Sequence, residues 1–421
     1  MKYLISAFFA FLLLLTLNVY SQNNKVIAGP MVSFVDSYGT QMWFLLESDA
    51  EKITVDVRHY DTDKLLQYEF DVKNTHRLKD YIPFTIVLEK LQPNTEYMAS
   101  VFVDSVFVKE VDIFTKRPHL DDVQLLLGSD YPASESIQNS NLFPSMAKTN
   151  SDFMVWLGQH VEFSTEPLCE TQDLSFMMDH MLDQYVGVRK NPYLNHFMSS
   201  MPQIATWGSS DFCHTDSSWD LKDTTHLVFE LFWPNSLQKT YNYTYFDYGT
   251  YQRYTYNDLD VFLLDAMTFR SDSSLYGDKQ MERLFQEIQN TGATFTVIAS
   301  PAPFTFDSEE SFLNYKKQFD YFLYRINISN PSGLILVSTS SETNTQLNRY
   351  DLSKNMIVGD DGLNCDKCLY EFSFPSMIDG SYSLISVTGK KRNRVLSFES
   401  YDVNGNMIYK KELNQKKLSL N

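Results

Sequence analysis

The sequence predicts an all-β domain followed by an α/β domain with helices on both faces of its sheet. Across residues 24–115, stretches such as QMWFLLE and KITVDVRHY alternate or carry β-branched residues, with turn residues between them. From Val123 onward, apolar runs such as VQLLLG, DFMVWLG and GLILVST alternate with stretches of helical spacing. Strands that alternate with helices are typical of a sheet covered on both faces.

The first 21 residues have the features of a secretory signal. Lys2 precedes the apolar run FFAFLLLL, which is too short to cross a bilayer comfortably, and residues 19–21 form a loose small-residue cleavage site. We therefore expect an exported protein that is periplasmic or associated with the outer membrane. A retained membrane anchor is the alternative, and no later segment is apolar enough to span a membrane.

The segment 24–115 is predicted to fold as a β-sandwich. LQPNTEYMASVFVD, at residues 91–104, is typical of a turn that leads into a strand with a tyrosine near its start. This resembles the tyrosine-containing edge of fibronectin-III-like sandwiches. FTKRPHLDD then predicts a linker, and we place the second domain at 120–421.

In the second domain, residues 278–289 and 310–326 have apolar side chains at helical spacing. The closing stretch RVLSFESYDVNGNMIYKKEL predicts strands joined by a turn at Asn404-Gly405. In sheets of this class, chemistry collects at the carboxyl ends of the strands. The predicted strand ends carry polar residues at 129–130, 159–160, 208–211, 265, 300–301 and 340–342.

Five segments follow one another in an order that resembles a known family. They are NSDFMVWLGQHVEF, QYVGVRKNPYLNHFMSSMPQIATWGSSDF, YNDLDVFLLDAMTFRS, LYGDKQMERLFQEIQNTGATFTVIAS and GLILVSTSSETNTQLNRY. Together they resemble the PhoD-like (alkaline phosphatase D) branch of the metallophosphoesterases, over nearly the whole mature chain. The resemblance implies a fibronectin-III-like sandwich, a four-layer αββα domain, and metal-dependent hydrolysis at the strand ends.

The residues at the family's metal-ligand positions depart from its pattern. Asp130 stands for a cysteine, Gln159 for an aspartate, and only Asp211 remains of an aspartate-rich DDHD motif. The vestigial positions are Asp130, Gln159, His160, Gly208, Ser209, Ser210, Asp211, Ser341 and Asn344. Neutral glutamine, serine and asparagine side chains cannot offset the charge of two cations. We therefore predict no metal, no cofactor and no catalytic residue.

Two catalytic alternatives remain open. Asp130, His160, Asp211, His214 and Asp216 could form a rebuilt single-metal site, although no close pair of ligands has helical spacing. Ser209 or Ser210 could act as a nucleophile with His160 or His214 as its base, although the sequence has no GxSxG elbow. The main prediction is a non-catalytic binding or scaffold subunit of the cell envelope. The alternative is a phosphomonoesterase or phosphodiesterase with a residual or rewired metal site.

A tyrosine-rich stretch at residues 240–258 is the most unusual composition in the chain. Its candidate interface residues are Tyr241, Tyr243, Tyr245, Tyr248 and Tyr251. Exposed tyrosine clusters are enriched at protein interfaces, and cross-strand packing inside the domain is the alternative. The net charge of −18 disfavours nucleic acid as a partner. The expected partner is an envelope protein, and this chain could associate peripherally with a membrane complex.

The four cysteines would meet an oxidising compartment after export. We predict a disulfide between Cys365 and Cys368, because two cysteines alone make no zinc site and no thioredoxin-like context surrounds them. Cys169 and Cys213 follow two predicted strand ends, so the other predicted pair is Cys169–Cys213.

Overall fold

The computed structural model describes residues 25–75, 77–116, 122–131, 135–138, 140–163, 173–212, 222–234, 249–359, 365, 367–391 and 393–418. The predicted signal at residues 1–21 lies outside these ranges, so export remains a prediction. The strands are β1 Val26–Val35, β2 Thr40–Glu47, β3 Lys52–His59, β4 Leu65–Asp71, β5 Tyr81–Leu88, β6 Glu96–Val103, β7 Val106–Phe114, β8 Val123–Gly128, β9 Phe153–Leu157, β10 Gln203–Thr206, β11 Gln252–Tyr256, β12 Leu259–Leu263, β13 Phe295–Ser300, β14 Leu334–Ser340, β15 Gln346–Asp351, β16 Met356–Ile357, β17 Cys368–Pro375, β18 Ser381–Thr388, β19 Val395–Asp402 and β20 Met407–Asn414.

Most helices belong to the part of the chain after β8. They are α1 Glu135–Gln138, α2 Leu142–Ala147, α3 Leu174–Arg189, α4 Pro192–Met198, α5 Ser209–Phe212, α6 Lys222–Phe232, α7 Asp278–Gln289 and α8 Lys316–Ser329. Short 3₁₀ turns occupy Phe312–Asn314, Met377–Asp379 and Gln415–Leu418. Within the described residues, we find no helix with both the length and the apolar character needed to cross a membrane.

Strands β1 to β7 form two antiparallel sheets, of order β1-β2-β5 and β4-β3-β6-β7. Along β3 and β6, buried and more exposed residues alternate, as expected where one face of a sheet meets a core. Val55, Val57, Ala99 and Val101 are among the residues that fill this core. The result is a two-sheet β-sandwich.

The later strands form a six-stranded sheet, β10-β9-β8-β18-β19-β20, and a seven-stranded sheet, β11-β12-β13-β14-β17-β15-β16. Strands β8, β9 and β10 are parallel to one another, and so are β12, β13, β14 and β17. Every residue of β9, β12 and β13 is buried, which explains why their sequences are mostly apolar rather than alternating.

The two large sheets pack face to face, with helices on their outer faces. Between them, the rings of Phe372 and Phe398 stack at 4.4 Å, within a core cluster drawn from both sheets. Residues of α3, α4 and α6 pack on the outer side of the six-stranded sheet, and those of α7 and α8 on the outer side of the seven-stranded sheet. The layers therefore run helix, sheet, sheet, helix, and the predicted α/β class is confirmed.

The sandwich shares a core with the α/β part. Trp43 on β2 is buried among residues of α3, α4 and α6, and its Nε1 donates to the carbonyl oxygen of Leu231 at 2.7 Å. The backbone N–H of Gly29 on β1 donates to Oδ1 of Asn195 at 2.9 Å. These contacts join the two parts through a mixed apolar and polar surface.

Three local predictions had different outcomes. Helix α7 spans 278–289, and the turn at Asn404-Gly405 joins β19 to β20, both as predicted. The predicted helix at 310–326 is wrong at its start. Ser311 caps a 3₁₀ turn by accepting from the N–H of Leu313, and α8 begins only at Lys316, after Tyr315 leaves helical geometry.

Candidate functional site

A cavity of about 640 Å³ lies where strands of both large sheets end. It is bordered by Asp130 after β8, Gln159 after β9, the loop after β13, the β14–β15 connection and the turn after β17. We call it the strand-end cavity. Since the carboxyl ends of parallel strands meet at one edge of a sheet, the sequence correctly indicated this region as the place where polar residues gather.

The strand-end cavity is acidic. Its described lining includes six carboxylic acids, namely Asp130, Asp307, Glu309, Glu310, Glu342 and Asp379. No lysine, arginine or histidine is among the described residues that line it. Burial raises the pKa of Asp130, and the neighbouring carboxylates of Glu162 and Asp379 act in the same direction. The Ser129 hydroxyl, which donates to Asp130 Oδ2 at 2.8 Å, opposes this rise.

Asp211 holds together the loops after β9 and β10. Its Oδ1 accepts from the backbone N–H groups of His160 at 2.7 Å and Val161 at 3.1 Å. Its Oδ2 accepts from those of Gln159 at 2.7 Å and Gly208 at 2.9 Å. We call this arrangement the Asp211 clamp. The residue has no exposed surface, and burial raises its pKa to about 7 against the lowering effect of the four N–H donors.

The side chain of Gln159 is also engaged. Its Oε1 accepts from the N–H of Ser210 at 2.8 Å, and its Nε2 donates to the hydroxyl of Ser209 at 3.3 Å. A Cβ atom on Gly208 would lie 3.1 Å from the Gln159 side chain, so a larger residue at 208 would press on it. A Cβ on Gly158 would lie 2.6 Å from the backbone nitrogen of Gly208. The two loops are therefore packed backbone against backbone.

His160 points away from the strand-end cavity. Its ring lies in the core beside the six-stranded sheet, 4.5 Å from the ring of Trp233 and 5.9 Å from that of Phe229. Its Nε2 is 3.0 Å from the carbonyl oxygen of Thr206, and burial lowers the pKa of His160 to about 3. Because the ring is buried among aromatic side chains and turned away from the strand-end cavity, it is not placed to bind a metal there or to act as a base for Ser209 or Ser210. The alternatives that used His160 in these roles are therefore corrected.

The remaining site predictions have mixed outcomes. Ser341 and Asn344 are exposed in the β14–β15 connection, and Ser341 lines the strand-end cavity. His214 and Asp216 lie outside the described residues. The predicted disulfide between Cys365 and Cys368 is confirmed. Cys169 and Cys213 lie outside the described ranges, so the second pair stays a prediction.

The tyrosine interface is corrected at one position. Tyr251 is only 7% exposed, and its hydroxyl donates to Oε2 of Glu287 at 2.8 Å. Its side chain therefore packs inside the domain and is not available to a partner. The other four candidates, Tyr241, Tyr243, Tyr245 and Tyr248, lie outside the described residues.

Sequence reasoning missed a buried carboxylate that shapes the strand-end cavity. Glu371 on β17 has no exposed surface, and it accepts from the backbone N–H groups of Phe304 at 2.8 Å and Thr305 at 2.6 Å. It also accepts from the hydroxyl of Ser338 at 2.5 Å. These bonds fix the loop after β13 against the sheet. A charged residue inside the apolar strand CLYEFSFP was the signal that could have indicated it.

The residues at the strand ends do not fit a dinuclear metal site. Among the described residues, no group of three or more histidine, cysteine, aspartate and glutamate side chains is placed to hold a metal ion. Both oxygens of Asp211 already accept two N–H groups each, and Gln159 binds neighbouring backbone and hydroxyl groups. A metal would have to displace these bonds, and the amide supplies no charge in return.

Comparison with solved structures shows which fold this is. The structure of PhoD aligns over 92% of this chain and 93% of that chain, with a TM-score of 0.69 and 12% sequence identity. At this identity, the likeness shows a shared fold and no more. The sensor domain of the anti-sigma factor RsgI4 of Pseudobacteroides cellulosolvens matches 22% of this chain and 90% of that chain, at 11% identity and a TM-score of 0.18. A glycosyl hydrolase family 2 member of Bacteroides cellulosilyticus matches 91% of this chain and 63% of that chain, at 7% identity and a TM-score of 0.25. Both of these TM-scores are too low to show a shared fold. No protein-family model matches the chain, and no curated protein does.

Proposed function

We propose that this chain is an exported, non-catalytic binding protein built on the PhoD-like fold, a pseudophosphatase. The observation that carries the proposal is the Asp211 clamp. The carboxylate at the family's ligand position is fully occupied by backbone N–H groups, and the glutamine beside it is bonded to the same loops. These residues therefore support the loops and are not free to bind ligand.

The charge of the strand-end cavity also argues against phosphate esters as substrates. A phosphate monoester or diester is an anion, and the described lining offers six carboxylic acids and no basic side chain. Two like charges 4 Å apart repel by about 4 kcal/mol at the effective dielectric constant near a protein surface. A hydrolase of this class relies on metal ions to reverse that repulsion.

The domain assignment in this proposal is a signal at 1–21, a fibronectin-III-like sandwich at 24–115, and a PhoD-like domain at 120–421. The two antiparallel sheets of three and four strands support the sandwich type. So does Tyr97, near the start of β6, which is 2% exposed and whose hydroxyl accepts from the N–H of Gln92 at 2.8 Å. Export to the periplasm or outer membrane is supported by the sequence of the first 21 residues.

The partner in this proposal is an envelope protein with a basic or mixed-charge surface. The net charge of −18 and the acidic strand-end cavity both favour such a surface over nucleic acid or an anionic lipid. Capture from native envelope with the mature chain as bait tests this. A Glu309→Gln, Glu342→Gln bait is expected to lose a partner that docks at the cavity, whereas a Glu69→Gln bait, changed in the sandwich, is expected to keep it.

The enzymatic alternative is a phosphomonoesterase or phosphodiesterase, and it is favoured by the place of the cavity in the fold. Elemental analysis of the purified protein, together with chromogenic monoester and diester assays, decides between the two. We expect no stoichiometric metal and no hydrolysis above the blank. Hydrolysis that is abolished by a chelator and restored by metal would overturn the proposal.

A further inference from the structure

A lysine lies among aromatic rings at the junction of the sandwich and the α/β part. The Nζ of Lys116, two residues after β7, is 3.8 Å from the ring centroid of Tyr254, 5.3 Å from that of Phe34 and 5.4 Å from that of Tyr256. The same nitrogen donates to the carbonyl oxygen of Thr255 at 2.6 Å. We call Lys116, Phe34, Tyr254 and Tyr256 the Lys116 clasp.

The clasp joins segments that are distant in sequence. Phe34 is on β1 and Lys116 follows β7, whereas the two tyrosines are on β11, at the edge of the seven-stranded sheet. Tyr254 and Tyr256 are buried, at 2% and 4% exposure, and the Tyr254 hydroxyl donates to the carbonyl oxygen of Val35 at 3.2 Å. A change in the charge of Lys116 therefore acts directly on the contact between the sandwich and β11.

The surroundings of Lys116 act on its charge in opposite directions. Among the described residues, the titratable and charged groups around it are Asp36 after β1, Tyr254 and Tyr256 on β11, and Asp260 on β12, which is itself paired with Arg253. Asp152, before β9, accepts from the Tyr256 hydroxyl. Burial lowers the pKa of Lys116 to about 7, and the carboxylates of Asp36 and Asp260 only partly oppose it. The ring faces attract an ammonium group, but they replace the water that would otherwise solvate it.

We propose that the Lys116 clasp is a proton-sensitive contact that holds the sandwich on β11 when the lysine is neutral and loosens when it is protonated. The direction follows from linkage. A lysine freed from the junction would titrate near its ordinary pKa of 10.5, well above that of the closed junction. Between the two values the open form binds the proton more tightly, so closure is favoured by about tenfold for each unit of rising pH. Below about pH 7 both forms are protonated and the dependence ends.

Two measurements on the full mature chain test the clasp. Hydrogen exchange of the β11 amides is compared at each pH between the wild type and Lys116→Met, which keeps the apolar stem. From pH 7 to 9, the exchange rate of the wild type divided by that of Lys116→Met is expected to fall by up to tenfold per pH unit. Below pH 7 this ratio is expected to stay constant. Lys64→Met, changed at an exposed turn, is expected to give a flat ratio. Lys116→Arg, which stays charged, is expected to loosen β11 at pH 9 and to match the wild type at pH 6.

The second measurement needs no variant. The Lys116 amine of the wild type is titrated by NMR of isotopically labelled lysine. A midpoint between pH 6 and 8 supports the clasp, and a midpoint above 9 overturns it. A ratio of exchange rates in β11 that stays constant from pH 6 to 9 also overturns it.

Discussion

Replacing Asp211 with asparagine tests whether this carboxylate holds the loops after β9 and β10 in place of a metal ion. The carboxylate presents two acceptor oxygens to four backbone N–H groups, two on each oxygen. Asparagine keeps the shape but turns one oxygen into an NH₂ group. Whichever way the amide is oriented, two backbone N–H groups then face a donor.

The expected cost follows from these bonds. A buried donor left without an acceptor costs about 1–3 kcal/mol, so two donors give a loss of about 4 kcal/mol in the free energy of unfolding. Asp211 has no exposed surface, so water cannot replace the lost acceptor without opening the loops. The loss is large compared with the total stability of a typical domain, which is about 5–15 kcal/mol.

Urea unfolding at neutral pH, followed by tryptophan fluorescence, measures this loss. Trp156, on β9, and Trp207, just before Gly208, lie close to the clamp. Asp61→Asn, at an exposed turn of the sandwich, is the matched control and is expected to change stability little. A loss below about 1 kcal/mol for Asp211→Asn would refute the clamp, since a single exposed hydrogen bond could account for it. So would a wild-type midpoint that falls when a chelator is added, because a metal would then hold the loops.

Three further predictions concern the same regions. Burial lowers the pKa of His160 from 6.5 to about 3, so the free energy of unfolding is expected to fall as the pH drops from 6.5 toward 3. In urea unfolding, His160→Leu is expected to reduce that slope by up to about 1.4 kcal/mol per pH unit. Gly158→Ala is expected to lower the free energy of unfolding by more than about 1 kcal/mol in thermal unfolding. Gly158 has a φ of +78°, and the alanine Cβ would meet the backbone nitrogen of Gly208. Unchanged stability would show that the two loops can separate. Replacing Tyr243 and Tyr245, outside the described residues, is expected to reduce capture of envelope partners without unfolding the chain, and a double variant that keeps every partner would place the interface elsewhere.

Local periodicity predicted much of the fold. The helix at 278–289 buries Met281, Leu284, Phe285 and Ile288, which are the apolar positions that its spacing indicated. The Asn404-Gly405 turn needs a residue with positive φ, and Gly405 has a φ of +82°. Such features depend on residues close in sequence, so the sequence alone is sufficient to find them.

The candidate site could be predicted only in part. The sequence located the strand ends, and the structure places Asp130 and Gln159 on one cavity there. The sequence did not reveal that the His160 side chain points into the core, because that orientation depends on how it packs against Trp233 and Phe229. Tyr251 is a similar case, since its burial depends on packing beside Glu287, which lies 36 residues further along the chain.

By itself, the sequence determined the alternation of strands and helices and the acidic charge, and it located the strand ends where polar residues gather. Only the tertiary structure decided what the remaining polar groups do. Asp211 accepts hydrogen bonds from the backbone N–H groups of residues 159–161, in a distant loop. Glu371 accepts from those of residues 304–305, and the amine of Lys116 lies over the ring of Tyr254. The physical reason is that hydrogen bonding and desolvation depend on which groups meet in space, and here those groups come from segments about 50 to 140 residues apart.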